Sequence, residues 1–450
     1  MSLPRILLLN PPGKAHYTRD CLHSNITKSD YYWHQLDLLL QSGWLAQVGE
    51  TEVLDAVVER LPFQAALRRA CAKSHDYVLM MTGERSMDED RRFAAALAEH
   101  HPDVKIFASG DVVFFRGEKP FSEYRNLRGV ITDFTADGLK RYIAGERGPL
   151  PGLRYLADDG TLQTDRPAEK TTSYPRPRHE SFPLERYRLP FGRSIPFGSV
   201  LTTFGCPYPC RYCNARMVRF RTRPVLDVIE EMSWLWQHGL RKLYIRDPTF
   251  GVRPDEALAI CREMVREGLV FEWNAFTRPD ILDDQLLEAM ASSGCVLVQL
   301  GLETPDLDAL RAQGKRFVES SIRDTIERCH ALGIEVCGHF MIGFPGEDRS
   351  TWEHIADYAI DVGCDYFALN VAEVRLGTSL TNEDPVTTLE RRRYFFDESE
   401  LRAQIPRLNR RFYARPGFVL KQLRGVSDTR QLWSLARKGI GVLAPWATSP

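Results

Sequence analysis

The apolar residues in the first third of the chain fall into five short runs separated by polar segments. The runs are RILLLN (5–10), TEVLDAV (51–57), DYVLMMTG (76–83), VKIFASG (104–110) and GVITDF (129–134). Apolar runs rich in β-branched residues predict buried strands, and the polar segments between several of them have helical spacing. The alternation predicts an α/β fold, a Rossmann-like doubly wound parallel sheet over residues 1–145.

Ligands of such sheets bind beyond the carboxyl ends of the strands. Asn10, Thr82, Gly83 and Gly110 stand at the ends of three predicted strands. We expect these four residues to face a ligand if the domain binds one.

The chain changes character over residues 146–198, which are rich in proline, glycine and arginine and predict a linker with a small hairpin. Strand-like runs then return at 199–205, 242–250, 271–280, 295–304, 335–345 and 365–374. The helical segments between them end at glycines that can cap a helix, namely Gly239, Gly268, Gly294, Gly333 and Gly363. The pattern predicts a partial, TIM-like (β/α)6 barrel over 199–375, with its chemistry at the carboxyl ends of the strands.

The last segment, 376–450, mixes basic and aromatic residues and has apolar residues near helical spacing from Leu432 to Leu443. It predicts a mainly helical region. This region either packs over the open side of the barrel or rests on a membrane surface as a basic amphipathic helix.

Composition narrows the class of protein. The 59 basic and 60 acidic residues leave a net charge of -1, so no overall field attracts nucleic acid. The apolar run Ile6–Leu9 is too short for a signal peptide or a membrane span. We therefore expect a cytoplasmic protein, with contact at the inner membrane surface through the C-terminal region as an additional expectation. Because the cytoplasm is reducing, the ten cysteines indicate core thiols and a metal site, not disulfides.

Three of the cysteines, Cys206, Cys210 and Cys213, follow the first predicted barrel strand. A structural zinc site usually has four ligands, and the nearest candidates, His238 and Cys261, fall within predicted helices. Iron–sulfur clusters prefer thiolates, and a cubane held by three would leave one iron for another ligand.

The spacing C-x3-C-x2-C, with Tyr212 before the third cysteine, resembles that of the radical S-adenosylmethionine (SAM) superfamily. DPTF (247–250), LGLET (300–304), LRAQGK (310–315) and HFMIGFPGE (339–347) recur in the same order in the branch with an N-terminal cobalamin-binding-type domain. The resemblance implies that the three cysteines hold a [4Fe–4S] cluster. It also implies that SAM chelates the fourth iron and is cleaved to a 5′-deoxyadenosyl radical.

The resemblance further implies SAM contacts at Tyr212, Asp247, Arg278, Glu303 and Gly343. Asp247 is the candidate for the methionyl amino group, because Arg-Asp-Pro replaces the usual Gly-Gly-Glu stretch. Arg278 would pair with the methionyl carboxylate, and Gly343 would let adenine approach. The alternatives are a surface ion pair for Arg278, a helix-capping carboxylate for Glu303 and a turn for Gly343.

The run RMVRFRTRP beyond the cysteines contains Arg216, Arg219, Arg221 and Arg223. It forms either a solvated face or a surface for an acidic electron donor such as flavodoxin or ferredoxin, or for an anionic substrate.

The branch implies cobalamin on Asn10, Thr82, Gly83 and Gly110. The first domain lacks Asp-x-His-x-x-Gly, so no histidine ligand to cobalt is predicted, and ASGDVVFF has one glycine where relatives often have a pair. We expect cobalamin-dependent methyl transfer to an unactivated carbon of a small-molecule or lipid substrate. The alternatives are radical rearrangement, ring contraction or oxidative cyclisation of the hopanoid-sugar or tetrapyrrole type, and, second, a non-catalytic electron-transfer or sensor protein.

Overall fold

The computed structural model describes residues 3–22, 24–27, 31–166, 172–189, 196–380, 385–387 and 394–424. The first nine strands are β1 (Arg5–Asn10), β2 (Tyr17–Arg19), β3 (Ser24–Ile26), β4 (Glu50–Asp55), β5 (Tyr77–Met81), β6 (Lys105–Ser109), β7 (Leu127–Ile131), β8 (Leu153–Leu156) and β9 (Leu162–Gln163). The first six helices are α1 (Leu36–Leu45), α2 (Phe63–Ala70), α3 (Met87–His100), α4 (Asp111–Phe115), α5 (Lys119–Glu123) and α6 (Gly138–Ile143).

The N-terminal sheet has the strand order β4-β1-β5-β6-β7-β8-β9, and its first five strands in that order pair in parallel. Leu39 of α1 and Tyr142 of α6 are buried on one face, whereas Leu67 of α2 and Phe93 of α3 are buried on the other. Helices therefore cover both faces, and the predicted doubly wound sheet is confirmed.

Two features of this domain lie outside the five predicted strands. The hairpin predicted within the linker is β8–β9, and β8 pairs antiparallel with β7, so the hairpin extends the sheet. A second hairpin, β2–β3, lies in the long connection between β1 and α1. The domain limits at 145 and 198 stay a prediction.

The second half contains β10 (Gly198–Val200), β11 (Thr203–Phe204), β12 (Arg221–Thr222), β13 (Lys242–Ile245), β14 (Glu272–Thr277), β15 (Cys295–Glu303), β16 (Glu335–Ile342) and β17 (Tyr366–Val371). Its helices are α7 (Val225–Gln237), α8 (Pro254–Arg266), α9 (Asp284–Ser292), α10 (Leu307–Ala312), α11 (Glu319–Ala331), α12 (Arg349–Asp361), α13 (Glu398–Tyr413) and α14 (Pro416–Arg424).

Six of these strands form an all-parallel sheet in chain order, β10-β13-β14-β15-β16-β17. This is the predicted partial barrel, open between its first and last strands. The five predicted capping glycines all have a left-handed φ, between 67° and 94°, which side chains other than glycine rarely adopt.

The open edge at β17 is covered by α13. Leu401, Ile405 and Leu408 of this helix are buried in the barrel core. The Tyr413 hydroxyl accepts a hydrogen bond from the Phe367 N–H (2.9 Å) and donates one to the Phe367 carbonyl (2.6 Å). These bonds satisfy backbone groups of the edge strand. The segment from Leu432 to Leu443 lies outside the described residues.

The other open edge, at β10, faces the connection between β1 and α1. His34 Nδ1 lies 3.0 Å from Ser199 Oγ on β10. Arg246, directly after β13, donates to Asp20 at 2.6 Å, and both side chains are buried. The N-terminal domain thus supplies part of the barrel wall. Within the described part of the chain, no helix is long and apolar enough to cross a membrane.

Candidate active site

The cysteine loop leaves the barrel after β10 and is closed at its base by a two-stranded ribbon. Thr203 of β11 pairs with Thr222 of β12, and Phe204 pairs with Arg221. Gly205 then turns the chain with a φ of 75°, and a Cβ built on it would lie 2.4 Å from the Val218 carbonyl oxygen. Only glycine fits where the two ends of the loop approach so closely.

Asp247 lies under the start of this loop. Its carboxylate accepts hydrogen bonds from the backbone N–H groups of Thr202 (2.7 Å) and Thr203 (3.0 Å) and from the Thr202 hydroxyl. The side chain is fully buried, and burial raises its pKa to about 6. These contacts position the chain that leads into the loop. Contact of Asp247 with SAM stays a prediction.

A second brace comes from the segment 310–315. The Arg211 N–H donates to the Gln313 carbonyl at 2.9 Å, and a Cβ on Gly314 would lie 2.7 Å from the Pro209 carbonyl oxygen. Gln313 is buried. The LRAQGK motif therefore packs directly against the cysteine loop, which gives it a physical function that the sequence alone did not indicate.

The three thiols lie at the barrel mouth, with Cys210 buried and the other two half-buried. Burial raises the pKa of Cys213 to about 12 and also raises that of Cys210, against the lowering effect of the Lys315 and Arg278 cations. The thiols would lose their protons on binding a metal.

The spacing of the donors bears on the kind of metal site. A single ion with metal–sulfur bonds of ~2.3 Å needs sulfurs within about 4 Å of one another. Among the residues that the structure describes, no three Cys, His, Asp or Glu side chains converge on one ion. Thiolates are the ligands that iron–sulfur clusters prefer.

Arg278 lies beside the cysteine loop, and its contact with SAM stays a prediction. Its Nη1 is 4.0 Å from the Cys210 sulfur, and its guanidinium stacks 4.1 Å from the centre of the Tyr208 ring. Nε and Nη2 donate to the two oxygens of Asp280 at 2.9 and 2.7 Å. Nη1 is thus the nitrogen turned toward the thiols.

Glu303 ends β15 in a left-handed conformation, with a φ of 64°. The sheet register shifts between Gly301 and Glu303, which indicates a bulge at this point. The Glu303 carboxylate accepts a hydrogen bond from Lys315 Nζ at 2.8 Å, and both side chains are buried. Lys315 also donates to the Gly301 carbonyl at 2.7 Å. Strain at a non-glycine residue is typical of functional sites.

Lys315 was missed as a site residue by the sequence analysis. The feature of the sequence that could have identified Lys315 is its position at the end of the LRAQGK motif. Lys315 Nζ and the Arg278 guanidinium lie 5.0 and 5.2 Å from the centre of the same ring, Phe317. Two cations therefore stand at the mouth near Cys210.

Tyr212 and Gly343 lie on a third side of the mouth. The Tyr212 ring packs edge-on against Phe344 with a centroid distance of 5.4 Å. Gly343 has a φ of 91°, and its N–H donates to Glu347 at 2.6 Å. The same carboxylate also accepts from the Phe344 N–H and the Trp352 indole, so Glu347 fixes the turn after β16.

The arginine run is not one surface. Arg221 forms a buried ion pair with Asp133 at 2.6 Å, and Arg223 forms one with Glu231. Reading all four arginines as a solvated face or as a docking surface was therefore wrong for these two. They join the loop base to the N-terminal domain and to α7, and their charge is unavailable to a partner because it is buried and paired.

The four predicted cobalamin residues do come together at the carboxyl edge of the N-terminal sheet. The β2–β3 hairpin lies over them. Arg19, which is fully buried, donates to the Asn10 side chain at 2.8 Å and to Asp90 at 2.8 Å. A Cβ on Gly83 would lie 2.7 Å from Ser24 Oγ, and one on Gly110 would lie 2.0 Å from the Thr82 carbonyl oxygen.

These contacts bear on whether cobalamin can reach the four residues at this edge of the sheet. The glycines that would admit the cofactor are already in contact with the chain itself, and the Thr82 hydroxyl is bonded to Tyr124 at 2.5 Å. In this conformation the four residues do not present a surface for cobalamin.

Residues 200–359, which contain the cysteine loop and the barrel strands β13 to β16, match the model of the radical SAM superfamily. An uncharacterized methyltransferase of Pyrococcus horikoshii is 24% identical over 458 aligned residues, covering 94% of this chain and 95% of the relative.

Solved structures share the architecture. TsrM from Kitasatospora setae, a radical SAM methyltransferase with cobalamin and a [4Fe–4S] cluster bound, has a TM-score of 0.62 at 19% identity. The likeness covers 84% of this chain and 74% of TsrM. The cobalamin-dependent radical enzyme OxsB, with aqua-cobalamin and SAM bound, has a TM-score of 0.68 at 14% identity, covering 98% and 72%. At these identities the likeness shows the fold.

Proposed function

We propose, from the premise that this chain belongs to the radical SAM superfamily, that it is an enzyme that cleaves SAM and modifies an unactivated carbon of a small-molecule or lipid substrate. The observation that carries the proposal is the cysteine loop itself. Three thiols stand at the mouth of the barrel, held by the ribbon at the loop base, by Asp247 and by the segment 310–315.

The residues at the mouth have distinct functions in this proposal. Cys206, Cys210 and Cys213 would hold three irons of a [4Fe–4S] cluster. Bound together, the cluster and SAM supply a 5′-deoxyadenosyl radical by one-electron cleavage of SAM. Arg278 would offer Nη1 to the methionyl carboxylate, because its other two nitrogens already donate to Asp280.

Glu303 and Lys315 would act as one buried, neutral pair at the rim. The hydrogen bond from Lys315 orients the Glu303 carboxylate as an acceptor for SAM. Tyr212 and Gly343 would border SAM on the side of β16, where the turn held by Glu347 keeps the backbone in place.

Methyl transfer is the outcome that the relatives favour, since both the full-length relative and TsrM carry methyltransferase names. Cobalamin would be the methyl carrier, as its presence in the two solved structures suggests. The predicted cobalamin face is packed by the β2–β3 hairpin in the structure.

That packed face supports a second candidate. Radical rearrangement, ring contraction or oxidative cyclisation uses the deoxyadenosyl radical alone and needs no methyl carrier. Equal yields of S-adenosylhomocysteine and 5′-deoxyadenosine during turnover would identify methyl transfer. Deoxyadenosine alone, from cobalamin-free protein, would identify the second reaction class. Docking of flavodoxin or ferredoxin, a cytoplasmic location and membrane contact remain predictions.

The central test is anaerobic reconstitution followed by iron, sulfide and product analysis. We expect one four-iron cluster per chain and conversion of SAM to 5′-deoxyadenosine after reduction. Substituting alanine for Cys206, Cys210 and Cys213 together should abolish both. The matched control is Cys71→Ala, a half-buried thiol of the N-terminal domain. Iron retained by the triple variant, or no deoxyadenosine from the wild type, would refute the proposal.

A further inference from the structure

The DPTF motif has a second residue that reaches the cysteine loop. Thr249 stands two positions after Asp247 in the connection that follows β13, and it is only 6% exposed. Its Oγ1 lies 3.6 Å from the Cys206 sulfur, which is within hydrogen-bond distance of a sulfur atom. The motif therefore contacts the base of the loop through its carboxylate and one of the thiols through its hydroxyl.

Each of the three sulfurs faces a hydrogen-bond donor from a different part of the chain. Arg278 Nη1 lies 4.0 Å from the Cys210 sulfur, and the backbone N–H of Ala215 bonds the sulfur of Cys213. The remaining sulfur faces the uncharged hydroxyl of Thr249. These donors matter for an iron–sulfur cluster, because hydrogen bonds to its sulfurs help to set its reduction potential.

The Thr249 hydroxyl has one proton and two acceptors within reach. In the structure its O–H donates to the Pro248 carbonyl at 2.8 Å. The S–H of Cys206, a weak donor, can then point at Thr249 Oγ1, so that both contacts are satisfied while the thiol keeps its proton.

Binding of iron changes this arrangement at Cys206. The thiol releases its proton to solvent, and the sulfur that remains can only accept a hydrogen bond. A hydrogen bond to a charged acceptor is roughly twice as strong as one between neutral groups, so the sulfur competes successfully with the Pro248 carbonyl. Rotation about the Cβ–Oγ1 bond of Thr249 turns the O–H from the carbonyl to the sulfur without moving a heavier atom.

We propose that in the iron-loaded protein the Thr249 hydroxyl donates a hydrogen bond to the Cys206 sulfur, and that this bond raises the reduction potential of the cluster. Reduction adds one electron from a low-potential donor of the flavodoxin or ferredoxin class, and the cysteine sulfurs share the added negative charge. A donor to one of these sulfurs therefore favours the reduced form. The proposal rests on the proposed function, because one-electron cleavage of SAM requires the reduced cluster.

The test is a redox titration of the reconstituted full-length protein, in which EPR spectroscopy follows the reduced cluster. Thr249→Val removes the hydroxyl and keeps the shape of the side chain. We expect the ratio of reduced to oxidised cluster at a fixed potential to fall about three- to tenfold. At 59 mV per tenfold this moves the midpoint by about 30 to 60 mV to more negative values. Thr249→Ser keeps the hydroxyl and should keep most of the wild-type potential.

Thr325→Val is the matched control for loss of a buried hydroxyl. Thr325 lies on α11, is buried, and donates to the Pro279 carbonyl at 3.2 Å. We expect its midpoint to equal that of the wild type. An unchanged midpoint in Thr249→Val, or an equal shift in either Thr249→Ser or Thr325→Val, would overturn the proposal.

Iron analysis separates the two ways in which the experiment can fail. If Thr249→Val takes up less iron, Thr249→Ala, which also lacks the hydroxyl and needs less space, is titrated in its place. Loss of iron from both, with iron retained by Thr249→Ser, would make the hydroxyl necessary for cluster binding and would overturn its assignment to the potential. An intact four-iron cluster with equal midpoints removes only the proposal for Thr249. A wild type without a cluster overturns the proposed function as well.

Discussion

Substitution of Asp247 distinguishes a structural carboxylate from one that binds SAM. In the structure its carboxylate holds the Thr202 and Thr203 N–H groups and the Thr202 hydroxyl. Asp247→Ala leaves two buried N–H groups unpaired. Each costs about 1–3 kcal/mol, so we expect a loss of roughly 2–6 kcal/mol in the free energy of unfolding. Asp247→Asn keeps an oxygen for both N–H groups, and we expect a loss of less than about 1.5 kcal/mol.

The comparison with Asp247→Asn also has a defined pH dependence. Burial raises the pKa of Asp247 from 3.8 in the unfolded chain to about 6 in the folded protein. The folded state therefore binds this proton more tightly. The stability of the wild type relative to Asp247→Asn should be greatest below about pH 4 and should fall, by roughly 3 kcal/mol in all, as the pH rises through about 6.

Urea unfolding of the iron-free proteins between pH 4 and pH 8 measures the loss of stability and its pH dependence. SAM affinity of the reconstituted proteins measures whether the carboxylate contacts SAM. We expect Asp247→Asn to bind iron and SAM like the wild type and Asp247→Ala to lose iron. If Asp247→Asn kept its stability and its iron but lost SAM affinity tenfold or more, the carboxylate would be a SAM ligand. The structural interpretation would then be refuted.

Other predictions concern contacts that hold the site together. Gly205→Ala should lose the cluster in iron analysis, because its Cβ would lie 2.4 Å from a carbonyl oxygen, whereas Gly239→Ala, with a similar φ and no atom within 4 Å, should cost only about 1 kcal/mol in urea unfolding. Arg246→Met leaves the buried Asp20 carboxylate unpaired and should cost roughly 3–5 kcal/mol, which Asp20→Asn in the same chain should largely restore. Tyr413→Phe removes the hydroxyl at the edge of β17 and should lower the urea midpoint by the equivalent of about 1–2 kcal/mol. Equal iron content in the two glycine variants, no rescue by Asp20→Asn, or an unchanged midpoint in Tyr413→Phe would contradict the respective contact.

Most of the fold was predictable because it depends on local patterns. The predicted runs coincide with the parallel strands of both sheets, and the glycines predicted as caps have left-handed φ values. These features follow from side-chain alternation and backbone sterics within a few residues. The β2–β3 hairpin was not predicted, because its three-residue strands carry polar residues and no clear alternation.

The site was predictable only where the chemistry lies in one short motif. The three cysteines stand within eight residues, and their placement at the barrel mouth followed from the strand that precedes them. Lys315 pairs with a residue twelve positions away, and Arg221 with one eighty-eight positions away. Such partners are determined by tertiary packing. The charge pattern alone therefore predicted one exposed surface for the arginine run, although two of its four arginines are buried.

The closure of the barrel has a consequence for its modularity. At one edge of the six-stranded sheet the Tyr413 hydroxyl bonds the backbone of Phe367, and at the other His34 bonds the Ser199 side chain. Asp20, from the same connection as His34, pairs with Arg246 directly after β13. An isolated fragment of residues 196–380 would expose both edges and the unpaired guanidinium of Arg246. A chimaera that joins this barrel to a foreign N-terminal domain must therefore also supply partners equivalent to His34 and Asp20.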